Sequence, residues 1–315
     1  MPLQRVMTDF GADNAFNKVP QKLNEHYGIE MPEVTIRKTT LAHAQEMVEQ
    51  RDTINLELKK QGEEIQIGEI DGSMIPIVEP NENVEDKRKE KKLLWKEARL
   101  SIVSCIEINK DSKFGVEFQE SVDKAGEEFK NCAIMAGYGE NTQMHCVSDG
   151  AKWIANQVKK QFGNNANYLV DFYHVCEYLA DAAKICAPNE NKKWMEKQKI
   201  YLKNNEYEKV LEELKKHIED DKIPEEKAFV RKCHRYLYNR KEYLDYKNAI
   251  ENKLPIGSGE IESANKYVVQ ERLKLSGAWW RNKNANAMLA LRVIRANNLW
   301  DEYWKKANVN AKTSA

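Results

Sequence analysis

No run of apolar residues in this 315-residue chain approaches the roughly 18 that a membrane-spanning helix requires, so a transmembrane segment is not expected. The first ten residues, Met-Pro-Leu-Gln-Arg-Val-Met-Thr-Asp-Phe, lack the apolar core of a secretory signal. The six cysteines, at 105, 132, 146, 176, 186 and 233, form no CxxC pair and no disulfide-type framework. That leaves structural zinc without support and points to a reducing compartment, the cytoplasm. Net charge is missing too: 50 lysines and arginines balance 50 aspartates and glutamates, a balance that neither supports nor excludes a nucleic-acid partner. Internal repeats and low-complexity segments are also absent. With 41% hydrophobic and 32% charged residues, the composition is that of a globular chain rather than a disordered one, long enough for one large domain or two to three smaller ones.

Charge becomes informative locally. Between Lys253 and Lys306 ten basic residues face five acidic ones, around the adjacent pair Trp279-Trp280. Trp279, Trp280 and Arg281, with Arg272, Lys274 and Lys283, suit a patch that stacks on bases and neutralises phosphates. The plainer alternative is one core tryptophan and solvated lysines, and burial of one tryptophan is expected either way.

Along the chain, residues 12–60 read as helices: Ala15, Phe16, Val19 and Leu23 have helical spacing, Gly28 stops the run, and Pro32 suits the first turn of the next helix. Thr35, Arg37, Lys38 and Thr39 early in that second helix fit a helix-turn-helix contacting DNA, or equally a helical hairpin packed on a core. Residues 65–79 read as a strand pair around Asp71-Gly72, Asn81–Lys92 as a solvated loop, Leu100–Ile108 and Phe114–Phe118 as strands. A helix follows at 121–135, then a strand ending at Val147, a helix at 151–162 and a strand at 168–171. His174 to about Ala249 is helical throughout, too long for a connection and therefore an inserted subdomain. Gly257-Ser-Gly259 breaks it before a last helical region, in which Met288, Leu289, Leu291, Ile294 and Leu299 suit an apolar face. Strands alternating with helices predict an α/β core.

Three acids stand out. Asp71 interrupts an apolar β-rich run, Asp149 follows a short strand just before a helix, and Glu262 lies in the first turn of another. Each has an ordinary alternative: a hairpin turn at Asp71-Gly72, an N-cap at Asp149 and a helix-dipole partner at Glu262. Together, three carboxylates at element ends suit a pair of Mg²⁺ (or Mn²⁺) ions and phosphodiester chemistry.

The chain resembles the DDE transposases of bacterial insertion sequences, in particular the Kra-type group. The resemblance covers nearly the whole chain and rests on the order and spacing of several motifs. These are Arg5-Val-Met-Thr-Asp-Phe-Gly-Ala-Asp-Asn, Asp71-Gly-Ser-Met-Ile-Pro, Ser148-Asp-Gly-Ala-Lys-Trp-Ile, Asp171-Phe-Tyr-His-Val-Cys-Glu-Tyr-Leu, Gly257-Ser-Gly-Glu-Ile-Glu, Gln270-Glu-Arg-Leu-Lys-Leu-Ser-Gly-Ala-Trp-Trp and Leu299-Trp-Asp-Glu-Tyr-Trp. It implies an RNase H-like mixed-sheet core with a long all-α insertion between the second and third acids, preceded by a helix-turn-helix-like segment. The segments expected are 1–62 (DNA-binding helices), 63–173 (first part of the core), 174–256 (insertion) and 257–315 (C-terminal core helices with the third acid). It implies Asp71, Asp149 and Glu262 as the metal-binding catalytic triad, with Glu260 pointing elsewhere. Asp171 and His174 resemble a signature between the second and third acids, which places Asp171 near the triad and His174 near a DNA phosphate. Arg37, Lys38, Arg272, Lys274, Trp279, Trp280 and Arg281 complete the expected DNA contacts.

The implied partners are double-stranded DNA, as element ends and target, and further copies of the chain, as a homodimer or higher oligomer on DNA. No membrane and no small-molecule cofactor are expected, and the compartment is the bacterial cytoplasm, at the nucleoid. The resemblance also implies more sequence ahead of the first residue. A truncated, non-catalytic DNA-binding remnant and a structure-selective nuclease of the same superfamily therefore remain alternatives.

Overall fold

A computed structural model describes residues 2–52, 56–81, 90–106, 111–118 and 120–313. The middle of the expected charged loop (82–89) and the end of the expected strand at 107–108 lie outside the described residues. Helices α1 (Pro2–Asp13), α2 (Val19–Tyr27) and α3 (Glu33–Asp52) open the chain. Strands β1 (Ile65–Pro80), β2 (Lys91–Cys105) and β3 (Lys113–Phe118) follow, then α4 (Val122–Met135), β4 (Gln143–Ser148), α5 (Lys152–Phe162) and β5 (Ala166–Val170). A helical block holds α6 (Phe172–Cys186), α7 (Asn191–Lys203), α8 (Tyr207–Lys215), α9 (Phe229–Tyr238) and α10 (Tyr246–Glu251). The chain continues through α11 (Gly259–Ala264), a π-helical segment Asn265–Gln270, α12 (Glu271–Leu273), α13 (Asn282–Ala296) and α14 (Trp300–Thr313).

The five strands form one mixed sheet in the order β3-β2-β1-β4-β5. β4 runs parallel to β1 and β5 parallel to β4, while β3 is antiparallel to β2. This is a mixed α/β protein. Local chemistry explains most boundaries. Gly28 ends α2 in the left-handed conformation at φ +65°, where a glycine pays no Cβ penalty. Ser121 caps α4 by accepting a hydrogen bond from Lys124 N at 3.1 Å.

One expectation needs correcting. Residues 65–79 do not form a strand pair, because β1 runs unbroken through Asp71-Gly72. Gly72 serves close approach instead of a turn: a Cβ there would run into the Glu97 side chain of the neighbouring β2.

The chain divides into two compact units. The first comprises Met1–Gly62, Ile70–Glu140 and Glu260–Ala315; the second comprises Glu63–Glu69 and Asn141–Gly259. The N-terminal helices thus share a unit with the last helices, and the helical block shares one with β4, α5 and β5. In the first unit, Ile75, Ile77, Leu100, Ile102, Phe114 and Val116 from the sheet pack against Ile261, Val268, Leu273 and Met288. Ala44 and Met47 of α3 bury against Leu291, Tyr303 and Trp304. Helix α1 starts ahead of the expected helical region because Met7 closes a small core with Val19, Leu23 and Ile36. In the second unit, Val147, Leu169 and Val170 of the strands join Leu202, Val210, Leu214, Val230 and Leu237 of the block in a single core.

Candidate active site

Asp71 sits half-buried in β1 of the first unit, and Asn265 Nδ2 donates to its Oδ2 at 2.9 Å. Two residues further along β1, buried Ser73 accepts from Gln270 Nε2 at 3.5 Å. The π-helical segment that follows Glu262 is therefore tied to β1 at both ends. Glu262 is exposed and precedes Asn265 by three positions, which share a helix face. Glu260, two positions from Glu262, acts on Tyr267, where burial and then the Glu260 charge push the phenol pKa up. Asn265 itself is 2% exposed, and its Oδ1 is buried with no hydrogen-bond partner. An orphaned buried carbonyl beside a carboxylate is unusual, since buried polar atoms are nearly always paired.

Asp149 belongs to the second unit and is exposed at the end of β4. It is not an N-cap. α5 starts after Ala151, and Asp149 Oδ1 accepts from Ala151 N at 2.9 Å in a tight local turn. Gly150 takes φ +82°, and a Cβ there would meet Arg240 Nε at 2.6 Å, so only glycine suits the position. The turn is held from the helical block: Tyr236 OH donates to Asp149 O at 2.6 Å and Arg240 Nε to Gly150 O at 2.7 Å. Arg240 also stacks over the Tyr236 ring at 3.9 Å.

Asp171 is a buried clamp. At 4% exposure, its Oδ1 accepts from Tyr173 N (2.6 Å) and His174 N (3.0 Å), capping α6. Its Oδ2 accepts from Ser258 N (2.7 Å) and Ser258 Oγ (2.5 Å). The first turn of the helical block is thereby fastened to its exit. Gly257 is required there because a Cβ would meet the Tyr173 ring at 2.6 Å. His174 is half-buried, lies 3.3 Å from Glu177, and meets Tyr178 and Tyr236 edge-on.

The expected DNA contacts divide by burial. Arg37, Lys38, Lys274 and Arg281 are exposed; Trp279 is 40% exposed and Trp280 only 6%. Arg272 is only 2% exposed. Trp95 of β2 is a further exposed aromatic, edge-to-face with Trp279 at 6.2 Å. Its only signal in the sequence is a large aromatic beside Lys96.

The six cysteines are free thiols. Burial pushes Cys176 and Cys186 up to about 11, far from a reactive thiolate. Among the described residues, no group of three or more His, Cys, Asp or Glu side chains is gathered as a metal cluster, and no helix is long and apolar enough to cross a membrane. The donors at Asp71, the Glu262 face and the Asn265 carbonyl are all oxygens, which fits a hard divalent cation such as Mg²⁺.

The molecule is thus a mixed α/β protein with acidic side chains set on a strand, after a strand and at a helix start. It belongs to the uncharacterised protein family UPF0236, whose family model matches residues 16–309. No curated protein matches the chain.

Proposed function

We propose that this protein is a DDE transposase of an insertion sequence, with an RNase H-like core, that cleaves and joins DNA strands by metal-dependent phosphoryl transfer. Asp71, Asp149 and Glu262 are the triad. The observation that carries the reading is the hydrogen bond from Asn265 to Asp71, which brings the helix bearing Glu262 against the strand bearing Asp71.

The three carboxylates would hold Mg²⁺ or Mn²⁺, which supplies charge neutralisation at the scissile phosphate and a more acidic attacking hydroxyl. The chain's own groups do the positioning. Asn265 orients the Asp71 carboxylate, and the turn at Asp149-Gly150 is fixed by Tyr236 and Arg240. Exposed Lys274, Arg281, Arg37 and Lys38 supply cations for the DNA backbone, which sets position without reading sequence. DNA is the partner, with a second copy of the chain for the second element end, in the bacterial cytoplasm.

The test is strand cleavage of supercoiled DNA carrying the sequences that flank the gene, in Mg²⁺, by wild type, Asp149→Asn and Glu262→Gln. The wild type should cut and both variants should bind DNA without cutting. Equal cleavage by all three would reject the triad, whereas DNA binding with no cleavage by the wild type would favour the non-catalytic remnant.

A further inference from the structure

In the first unit, residues 15–17, α3 and the loop between α12 and α13 line an open cavity of about 780 Å³. Arg272 lines it together with Phe16, Arg37, Trp279, Trp280 and Arg281. The Arg272 side chain is nearly inaccessible, yet it has no carboxylate partner. Its Nε donates to Gly11 O at 3.0 Å, and its Nη2 is buried with no hydrogen-bond partner. The Phe16 and Trp280 rings lie against the guanidinium, with Cζ 4.6 Å from the Phe16 ring centroid and 4.8 Å from that of Trp280. The guanidinium fork suits a planar or tetrahedral oxyanion.

The surrounding charges sharpen the point. Asp13, the acid that acts on Arg272, is ion-paired to both Arg292 and Arg295. Burial and the Arg292 charge lower the Arg272 pKa only to about 10, so it carries its charge at neutral pH. Among the other lining groups, Arg37 and Arg281 are cationic, and the single acid, Glu33, already lies 3.8 Å from Arg37. A buried cation with an unmet donor, two further cations at the rim and a half-exposed indole wall ask for an anion that carries a ring. Desolvating a charge without a counter-charge is costly, and a bound anion removes that cost.

We propose that this cavity is a nucleotide-binding subsite, in which Arg272 grips a phosphate oxygen and Trp279 stacks on the attached base. The inference rests on the DNA reading above for the source of the phosphate, a phosphodiester of a single-stranded or frayed DNA segment, and is independent of the carboxylate triad. Arg37 and Arg281 extend the contact to neighbouring phosphates. The cation–π stack on Phe16 and Trp280 holds the fork in place before the ligand arrives, so little side-chain entropy is lost on binding.

The experiment titrates the full chain with four probes, following tryptophan fluorescence and melting temperature: inorganic phosphate, dAMP, a short oligodeoxyadenylate, and the same oligomer with uncharged methylphosphonate linkages. Asp149→Asn serves as the background, because its cleavage defect leaves this cavity untouched. The charged oligomer should quench fluorescence and raise the melting temperature, and the uncharged one should bind about tenfold more weakly or worse. Arg281→Ala and Arg37→Ala, both at exposed positions, should weaken the charged oligomer by about tenfold without lowering the ligand-free melting temperature. Trp279→Ala should abolish the quench. Arg272→Lys keeps the charge and loses the fork, so it should bind more weakly while still folding. Undiminished binding in Arg281→Ala, Arg37→Ala and Arg272→Lys overturns the proposal, as does failure of every probe to bind. Binding of phosphate or dAMP as tight as that of the oligomer overturns the assignment to DNA, because the ligand would then be a free small phosphate. Normal oligomer binding beside absent cleavage separates this subsite from the fate of the triad.

Discussion

Asn265 donates to the Asp71 carboxylate, and it is the residue on which the catalytic proposal turns. Groups that orient a metal-binding carboxylate typically contribute 10–100-fold to metal affinity or activity. Asn265→Ala should therefore lower Mg²⁺-dependent cleavage by about that factor, with partial recovery at raised Mn²⁺, and unchanged turnover would show that the Asp71 contact is only structural. Asp171 predicts a different phenotype, because it accepts four hydrogen bonds in a buried position. Replacing it by alanine removes a helix cap and leaves Ser258 unpaired, at a cost of about 2–4 kcal/mol. Urea unfolding measures this directly. Two buried imidazoles set a pH dependence. Burial holds both His43 and His145 below the ordinary 6.5, the former despite nearby Glu46 and the latter despite its hydrogen bond to Pro255 O. A depressed folded-state pKa means the unfolded chain binds more protons, so this stability is complete above 6.5 and is lost as pH falls through it. The urea midpoint should drop between about pH 7 and 5, and His145→Gln should flatten the fall.

At the scale of elements, the helical block is held by apolar faces rather than by its many charges. Lys209–Glu206, Lys199–Glu196 and Lys216–Glu213 are exposed pairs one turn apart, worth little individually. The contribution of α8 comes from Val210 and Leu214, both fully buried, whereas Leu211 lies at the margin of that core. Leu214→Ala should cost about 2–5 kcal/mol and Leu211→Ala distinctly less, as a paired denaturation series would show. Because Tyr236 and Arg240 hold the Asp149-Gly150 turn from the same block, loosening α8 and α9 should also reduce cleavage before the protein unfolds.

At the scale of the molecule, the block is not an appendage. Residues 190–245 supply Leu202, Val210, Leu214, Val230, Leu237 and Leu244 to a core that also holds Val147, Leu169 and Val170 of β4 and β5 and Phe172, Val175 and Leu179 of α6. Deleting 190–245 removes a large share of that core. The shortened protein should give no cooperative thermal transition by circular dichroism and should aggregate; a soluble, cooperatively melting product would refute the shared core. The second unit also includes Glu63–Glu69, whose register with β4 (Ile65↔Gln143 to Glu69↔Val147) gives it its third strand.

What the sequence determined by itself is what nearest neighbours along the chain dictate. Gly28 ends a helix, Ser121 starts one, and the apolar periods mark the strands, the helical block and the α13 face. The positions of Asp149 after β4 and Glu262 in the first turn of α11 belong to the same class, because glycine and short polar side chains mark such ends through local backbone conformation. Only tertiary structure decided that Asp71-Gly72 lies mid-strand, since the turn signal of Asp-Gly was overridden by pairing with β2. Only tertiary structure gave Asp71 its partner 194 residues away and Asp171 its clamp 87 residues away. The burial of Arg272 is the clearest case. Arginine is usually exposed, and its burial here depends on Gly11, Phe16 and Trp280 meeting around it, a coincidence of distant segments that no local spacing encodes.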